Sequence, residues 1–479
     1  MSDMKSDARA ADAGGSLPDA ANRLGVQPVG KLLLRFSVPA ITGMLLNALY
    51  NVVDRVFVGR GVNEIALGGL SLVLPLMTIS MAFAMFFGIG SANMISMRLG
   101  EGRRQEAENA LNHGLCLLAV AGLLIMAVEL FFLDGILSLL GAQEGSVALD
   151  YARRYYRIIL YGHVFFLVGF GMSHCTRAQG FPLITMIGMF IGAGMNMILD
   201  PLFIFVFRWG VEGAAWATII SQFAAMVWIL KFTSSKKAVV RIRLATFKPS
   251  GEIIFHIMSF GSAPALLQLA MSGVQLVYNT SMGWYGAQAL GVANGGDIAL
   301  SGMNIVGSVA MLILMPVFGI NQGAQPVLGF NYGAGNFARV RRAFRLAALA
   351  ATAVCTAGFL ACQIFPSAIV GLFAPNASAE LLRFAVFAMR IQMLILPLNG
   401  FQIVSTNMFA VTGRPRISIL FSMLRQVIIL IPCMLVFGRL WSLWGVACAA
   451  PVADLCTVIL TAALVTLEMR ALKKKQAGL

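Results

Sequence analysis

The sequence predicts an all-α integral membrane protein with twelve transmembrane helices, arranged in two pseudo-symmetric six-helix lobes. Of its 479 residues, 59% are hydrophobic and 11% are charged, with a mean hydropathy of +0.83. That balance excludes an ordinary soluble domain. The apolar residues fall into runs long enough to cross a bilayer. The two halves of the chain also repeat the same short sequence motifs in the same order.

Each predicted span is an apolar run of about 20 residues or more, which is the length that crosses the hydrocarbon core. In chain order the runs cover residues 33–58, 66–96, 110–133, 155–176, 183–207, 212–233, 254–282, 289–318, 343–365, 384–410, 416–438 and 443–467.

The segments between and beyond the spans define the predicted domain organisation. Residues 1–30 have no apolar run, and we expect them to form a disordered cytosolic tail without a cleavable signal peptide. The expected units after this tail are an N-lobe, a basic cytoplasmic linker, a C-lobe and a basic cytosolic tail, over 31–233, 234–250, 251–467 and 468–479.

Lysine and arginine are concentrated in alternate loops, for example over Lys231–Lys248 and Arg470–Lys475. The positive-inside rule then places both termini in the cytoplasm, and we expect a bacterial inner membrane protein. The net charge of +15 needs no nucleic-acid partner, because anionic membrane lipid is a sufficient partner for basic loops.

The halves of the chain share six short sequence motifs in the same order. Phe87-Gly-Ile recurs as Phe318-Gly-Ile, and Gly180-Phe-Pro182 recurs as Gly413-Arg-Pro415. This order predicts a duplication of six spans plus six in parallel orientation. Such duplication is typical of transporters that bind substrate between two lobes and alternate access by rocking.

Asp200 ends an apolar run, and Asn196 lies four residues earlier on the same helix face. A carboxylate among apolar side chains must be neutralised, pair with a cation or bind one. Pro201 follows at once and frees backbone carbonyls one turn earlier. Two interpretations remain open: an interfacial aspartate that caps a helix end, and an ion or proton site inside a transporter.

The first span carries Tyr50, Asn51 and Asp54 as a polar stripe at helical spacing. Asp54 either forms a structural ion pair with a nearby arginine or takes part in function. The sixth span offers Thr218, which is otherwise a hydroxyl bonded to its own helix. Asp54, Asn196, Asp200 and Thr218 together could form an oxygen-rich cage for Na⁺ or a shuttled proton.

In the second lobe, Gln275 and Asn279 stand in the seventh span, which has no carboxylate. We expect Asp297 and Asp454 to be the buried carboxylates of this lobe. Arg425, in the middle of the eleventh span, needs a partner, and either carboxylate could form a structural pair with it.

Three further titratable residues lie in the spans of the first lobe. His174 and His163, both in the fourth span, are expected to be interhelical hydrogen-bonding residues, with a proton relay the less favoured role for His174. Glu129, near the end of the third span, is expected to extend outward to the membrane surface.

No enzyme signature occurs in the chain: HExxH, a Walker glycine loop and GxSxG are all missing from the sequence. The seven cysteines include no CxxC pair, so they indicate buried small residues rather than a metal site. We therefore expect no enzymatic activity and no cofactor, only a coupling ion.

The chain resembles the multidrug and toxic compound extrusion (MATE) transporters, in particular the DinF-like and MepA-like branch, over roughly residues 30–470. The matching words are Pro39 with Asp54 and Gly59, Phe87-Gly-Ile-Gly-Ser91, Arg177-Ala-Gln-Gly-Phe-Pro182, Asn196-Met-Ile-Leu-Asp200-Pro201, Gly319-Ile-Asn-Gln-Gly-Ala-Gln-Pro326 and Asn331-Tyr-Gly-Ala334. One departure is that MATE family members often have Asn just before the Arg-Ala-Gln-Gly motif, whereas this chain has Ser173 and His174 there.

The resemblance implies a monomeric pump that exports cationic amphipathic compounds in exchange for H⁺ or Na⁺. It places the cation site at Asp54, Asn196, Asp200 and Thr218. The drug cavity between the lobes is expected to be lined by Met, Phe and Tyr. The alternatives are a lipid-linked oligosaccharide flippase of the same superfold, which needs a cationic central cavity, and a receptor or channel, which needs no rocking lobes.

Overall fold

The computed structural model describes residues 19–61, 69–70, 72–139, 146–243, 247–289, 294–375 and 377–476, with only the backbone described for 19–21, 50–56 and 58–61. These residues form helices and no strand. Long apolar helices satisfy every backbone hydrogen bond internally, which is what a segment in lipid requires.

The first nine helices occupy the part of the chain before the linker. They are α1 (Asp19–Val26), α2 (Val29–Gly61), α3 (Leu74–Gly100), α4 (Arg104–Phe131), α5 (Leu133–Leu139), α6 (Val147–Tyr161), α7 (His163–Ala178), α8 (Pro182–Pro201), which continues as a π-helical turn (Leu202–Val206), and α9 (Gly210–Thr233).

Eight helices follow the linker. They are α10 (Gly251–Ala289), α11 (Gly295–Gly333), α12 (Phe337–Ile364), α13 (Pro366–Phe373), α14 (Ala379–Gln392), α15 (Leu396–Val411), α16 (Pro415–Met423), which continues as a π-helical turn (Leu424–Leu430), and α17 (Ile431–Gln476).

Among the described residues, nine helical stretches are long and apolar enough to cross a membrane. The α6–α7 pair, bent by 55°, and the α14–α15 pair, bent by 50°, each supply one more span if counted together. The ninth stretch, Pro415–Gln476, is 62 residues long. A span needs about 20 residues, so this stretch has room for two.

The chain reverses direction inside this last stretch, at Ser442. Its backbone is left-handed there, with φ 54° and ψ −138°, a conformation that costs energy for any residue with a side chain. Arg425 and Asp454 lie on either side of it and are 2.5 Å apart. A continuous helix would separate them by roughly 44 Å. The stretch is therefore two antiparallel spans, and the predicted fold of twelve spans is confirmed.

The irregularities of the spans repeat with the predicted six-span period. The two bent pairs are the fourth and tenth spans, and the two π-helical turns end the fifth span and interrupt the eleventh. Mid-helix π turns are rare overall, and those that occur are often found at functional sites. Their recurrence in equivalent spans, although at different depths, is the structural counterpart of the repeated sequence motifs.

The two halves meet through four helices in a pseudo-twofold arrangement: α2 packs along α11, and α3 packs along α10. In span numbers these are the first with the eighth and the second with the seventh, so the two contacts exchange under the six-span repeat. The two repeats therefore contribute equivalent helices to the interface between the halves.

Glycines bring these helices into backbone contact at one end of the molecule. A Cβ added to Gly261 of α10 would lie 1.7 Å from the Phe86 carbonyl oxygen, and one added to Gly100 of α3 would lie 2.0 Å from that of Phe330. Small residues permit such close approach of membrane helices. The halves are therefore sealed at this end.

The opposite ends of α10 and α11 are not sealed in this way. Gly273 and Gly307 have no atom within 4 Å of an added Cβ. Gln275 and Asn304 are exposed nearby, and polar side chains of a membrane helix face a water-filled cavity far more often than lipid. These observations indicate a cleft between the halves that opens away from the seal.

Two of the predicted loop segments are anchored at the sealed end. α1 buries Leu24, whose carbonyl oxygen accepts hydrogen bonds from Asn331 and Arg339. The prediction of a disordered tail over residues 1–30 is therefore wrong for Asp19–Val26, because an apolar contact and two donors hold this helix. The linker is held by the first half, where Arg243 pairs with Glu108.

Candidate functional site

The candidate site lies where α8 loses its regular hydrogen bonding. Pro201 cannot donate a backbone hydrogen bond, and the π-helical turn Leu202–Val206 follows it directly. Asp200, the residue before this proline, has no solvent exposure. The local sequence thus places a fully buried carboxylate at a helix irregularity.

Asn196 connects Asp200 to the neighbouring helix α9. Its side-chain Nδ2 donates to Asp200 Oδ1 at 3.2 Å, one turn along α8, and lies 3.4 Å from Thr218 Oγ1. Asn196 is 2% exposed and Thr218 is 8% exposed. The structure therefore brings together three of the four residues that the sequence singled out as a cage.

Two further oxygens on these two helices lack a hydrogen-bond partner within the described part of the chain. They are Asn196 Oδ1 and the hydroxyl of Ser221, which lies one turn after Thr218 on α9 and is 3% exposed. Buried polar atoms are usually satisfied. The Asn196 oxygen, one helical turn from the buried carboxylate, is of the kind that a small cation would use.

The donor set fits a monovalent cation. Among the described side chains, Asp200 supplies one negative charge, and Asn196 and Thr218 supply neutral oxygens. Within the described ranges, no group of three or more His, Cys, Asp or Glu side chains could hold a metal ion. One carboxylate is neutralised by one proton or one Na⁺, whereas an isolated divalent ion would leave a buried net charge.

The fourth predicted cage residue, Asp54, lies on α2 with Asn51 and Tyr50. The backbone of these three residues is helical, and their side chains lie outside the described residues. α2 packs against α8 along its length, so the helix that carries them is a neighbour of the helix that carries Asp200.

His174 is placed apart from the three cage residues. It is 5% exposed on α7 and its ring stands 4.9 Å from that of Phe170. Its Nδ1 has no hydrogen-bond partner among the described residues. The interhelical hydrogen bond expected of it is therefore not seen at this nitrogen.

Gln275 and Asn279 bond to each other. Gln275 Nε2 donates to Asn279 Oδ1 at 2.8 Å, one turn along α10, and both residues are exposed. They lie on the unsealed half of this helix. The second half thus presents amides to the cleft, whereas the first half has a buried carboxylate.

The half-buried Arg425 of the second half has a definite partner. Arg425 Nε is 2.5 Å from Asp454 Oδ1, and Asn399 Nδ2 donates to Asp454 Oδ2 at 2.9 Å. Asp297 is instead exposed at the start of α11, so the expectation that it is buried is wrong. A carboxylate in the first turn of a helix is stabilised there by the helix dipole and by water.

A buried polar cluster that was not predicted from the sequence surrounds Glu129; this Glu129 cluster is made of Glu129, Tyr156, His163 and Ser80. Glu129 is 6% exposed and accepts a hydrogen bond from the Tyr156 hydroxyl at 2.8 Å. The expectation that it extends outward is therefore wrong. Its partners come from other helices, and no spacing within the third span reveals them.

Comparison with known proteins agrees with this architecture. The MatE family model matches residues 39–202 and 263–435. The multidrug export protein MepA of Staphylococcus aureus (strain MSSA476) is 28% identical over 432 residues, 90% of this chain and 92% of that protein. MepA of Staphylococcus haemolyticus (strain JCSC1435) is 28% identical over 425 residues, 88% of this chain and 90% of that one.

Among solved structures, an outward-facing multidrug resistance MATE family transporter of the MOP superfamily superposes with a TM-score of 0.87. Its sequence is 25% identical, and the match covers 96% of this chain and all of that one (100%). The family match spans both halves of the repeat and includes the Asn196–Asp200 segment. With its twelve spans and duplicated halves, this chain belongs to the MatE family of membrane transporters.

Proposed function

We propose that this protein is a secondary active antiporter, in which entry of H⁺ or Na⁺ at the Asp200 site drives export of cationic amphipathic compounds. The observation that carries the proposal is the contact of Asn196 with both Asp200 and Thr218 across two helices. A buried, amide-linked carboxylate at a helix irregularity changes its charge when one ion binds, and the local packing must respond.

The direction of transport follows from the predicted topology. The sealed end carries the short helix α1 and the linker, and with cytoplasmic termini it faces the cytoplasm. The cleft then opens to the outside. In this arrangement a proton or Na⁺ enters Asp200 from outside, and its release inside lets the protein return with a new substrate molecule.

Coupling requires that the ion favours one of the two arrangements of the first lobe. In this scheme Asp200, and Asp54 by family resemblance, are neutralised in the arrangement that releases substrate outward. The charged carboxylate is stable only in the arrangement where water or hydroxyl groups of α9 donate hydrogen bonds to it. The difference between these states supplies the coupling free energy.

The substrate class is drawn from the family and from the exposed surface of the unsealed half. The staphylococcal relatives are named multidrug export proteins. Met271 of α10 and Met311 of α11 are exposed there, and methionine adapts to apolar molecules of different shape. The flippase alternative needs a cationic cavity. Arg425, the arginine in the middle of the eleventh span, does not supply one, because it is paired with Asp454.

Ethidium efflux from proteoliposomes tests the proposal, with a pH gradient and a Na⁺ gradient imposed separately. We expect wild-type protein to pump under one gradient, and Asp200→Asn to lose that coupled efflux. Asp150→Asn is the matched control, because Asp150 is exposed and pairs with Arg154 on its own helix. Efflux that needs no gradient, or full coupling in Asp200→Asn, contradicts the proposal.

A further inference from the structure

The Glu129 cluster joins four helices of the first lobe and is separate from the Asp200 site. Glu129 lies on α4, Tyr156 on α6, His163 on α7 and Ser80 on α3. His163 Nε2 is 3.9 Å from Glu129 Oε2 and 2.7 Å from Ser80 Oγ. All four residues are at least nine-tenths buried.

The hydrogen bonds of His163 allow both of its protonation states. Its Nδ1 lies 3.2 Å from the Ile159 carbonyl oxygen, which only accepts, so Nδ1 carries a proton. When the ring is neutral, Nε2 accepts from the Ser80 hydroxyl. When the ring is protonated, Nε2 donates to Ser80, whose hydroxyl then donates to the Leu76 carbonyl oxygen at 3.2 Å.

Charge balance in this buried place requires a proton. An ionised Glu129 beside a neutral His163 would be a net buried charge, which is costly in a medium of low dielectric constant. One proton removes it, whether the proton sits on the carboxylate or on the imidazole. The Tyr156 hydroxyl serves as a donor to Glu129 in either case.

No other charged group forms an ion pair with Glu129 or His163 within the described residues. Most charged side chains of the helices around the cluster pair elsewhere, are exposed or lie at the other ends of their helices; Glu212 is half-buried at the start of α9, next to Val211 of the core that contains Tyr156. The charged and titratable side chains of these helices are Arg98 of α3; Arg104, Glu106, Glu108 and His113 of α4; Asp134 of α5; Asp150, Arg153, Arg154 and Arg157 of α6; His174 and Arg177 of α7; and Glu212 and Lys231 of α9.

The cluster also lies at the bend between two helices of the fourth span. His163 is the first residue of α7, directly after Gly162, where α6 and α7 meet at 55°. Tyr156 belongs to the same small apolar core as Ile204, which lies in the π-helical turn after Asp200. A change of charge at His163 therefore acts on the bend of the fourth span and on a core that reaches the Asp200 helix.

We propose that Glu129, Tyr156, His163 and Ser80 form a second proton-binding site of the first lobe, in which a carboxylate and an imidazole share one exchangeable proton. This goes beyond the function proposed above, since the cluster binds its proton whether or not transport is coupled to H⁺. The ligand is a proton and no larger cation, because the imidazole occupies the place beside the carboxylate.

The test follows the proton spectroscopically in purified full-length protein. Histidine-selective ¹⁵N nuclear magnetic resonance reports the His163 ring, and the infrared absorption of protonated carboxyl groups reports Glu129. We expect one deprotonation step from about pH 5 to about pH 10 that involves both groups. In Glu129→Gln the His163 ring should give up its proton at a pH lower by about 1 to 3 units, because the carboxylate charge is gone.

Two variants keep this test decisive. Tyr156→Phe retains both titrating groups and removes the donor to ionised Glu129, so the step should move to higher pH. Glu108→Gln makes the same change as Glu129→Gln at a buried glutamate of the same helix, and should leave the step unchanged. A step missing from wild type, or one that keeps its wild-type pH in both Glu129→Gln and His163→Gln, overturns the proposal. Thermal unfolding confirms that each variant is folded.

Discussion

Arg425 and Asp454 are 2.5 Å apart across the turn at Ser442, although they are far apart along the chain. The contact joins the eleventh span to the twelfth, and Asn399 of the tenth span bonds to the same carboxylate. Since the arginine is central in its span and the aspartate is buried, the pair holds three helices of the second lobe together.

Asp454→Asn should destabilise the protein by about 2 kcal/mol, because it leaves the half-buried Arg425 without its counter-charge. The measurement is the thermal unfolding of purified protein in detergent. Asp297→Asn is the matched control, as it makes the same change at an exposed carboxylate of the same lobe. Its cost should stay within about 0.5 kcal/mol. Equal effects of the two substitutions would show that the pair does not stabilise the fold.

Gly261→Ala should hold the sealed end of the molecule open, because the new methyl group would overlap the Phe86 carbonyl oxygen. Spin labels on cysteines at exposed Arg103 and Asn336, in a protein free of its native cysteines, report the separation of the halves there. We expect a longer distance than in the parent protein and slower efflux.

Gly273→Ala is the control for this experiment, since it adds the same methyl group to the same helix where no atom lies within 4 Å. It should change neither the label distance nor efflux. If Gly261→Ala behaves like Gly273→Ala, the close contact of α3 and α10 does not set the sealed conformation.

Thr218→Val should distinguish Na⁺ from H⁺ as the ion at Asp200. Valine has nearly the shape of threonine but lacks the oxygen that Na⁺ would use, whereas a proton needs only the carboxylate. If Na⁺ is the ion, we expect the Na⁺ concentration for half-maximal efflux to rise about tenfold or more. If H⁺ is the ion, efflux should be nearly unchanged.

Thr461→Val controls for the loss of a buried hydroxyl, because Thr461 bonds only to its own helix, in the second lobe. It should leave ion dependence as in wild type. A large loss of proton-driven efflux in Thr218→Val would contradict the assignment of Thr218 as an oxygen donor to a metal cation.

The pairing of Asn196 with Asp200 was predictable from sequence because both residues lie on one helix, four positions apart, where helical geometry fixes their distance. The spans were predictable because apolar length is a direct requirement of the bilayer. Thr218 was predictable only as a candidate, since its approach to Asn196 depends on how α8 packs against α9.

Contacts between distant spans could not be derived in the same way. Arg425 had two candidate carboxylates, and only the turn at Ser442 brings Asp454 beside it and leaves Asp297 in water. Glu129 looked like an interfacial residue because its partners, Tyr156 and His163, follow a loop and a helix break. Short-range spacing gives no information about such partners.

The most direct test of the Asp200 site is the affinity of the purified protein for ethidium, measured by fluorescence polarisation as H⁺ and Na⁺ are varied separately. Linkage requires that an ion exchanged for substrate weakens substrate binding. For wild type we predict a Kd that rises up to about tenfold for each tenfold increase in one ion. In Asp200→Asn the Kd should be independent of that ion. If the mutant keeps the wild-type dependence, Asp200 is not the coupling site.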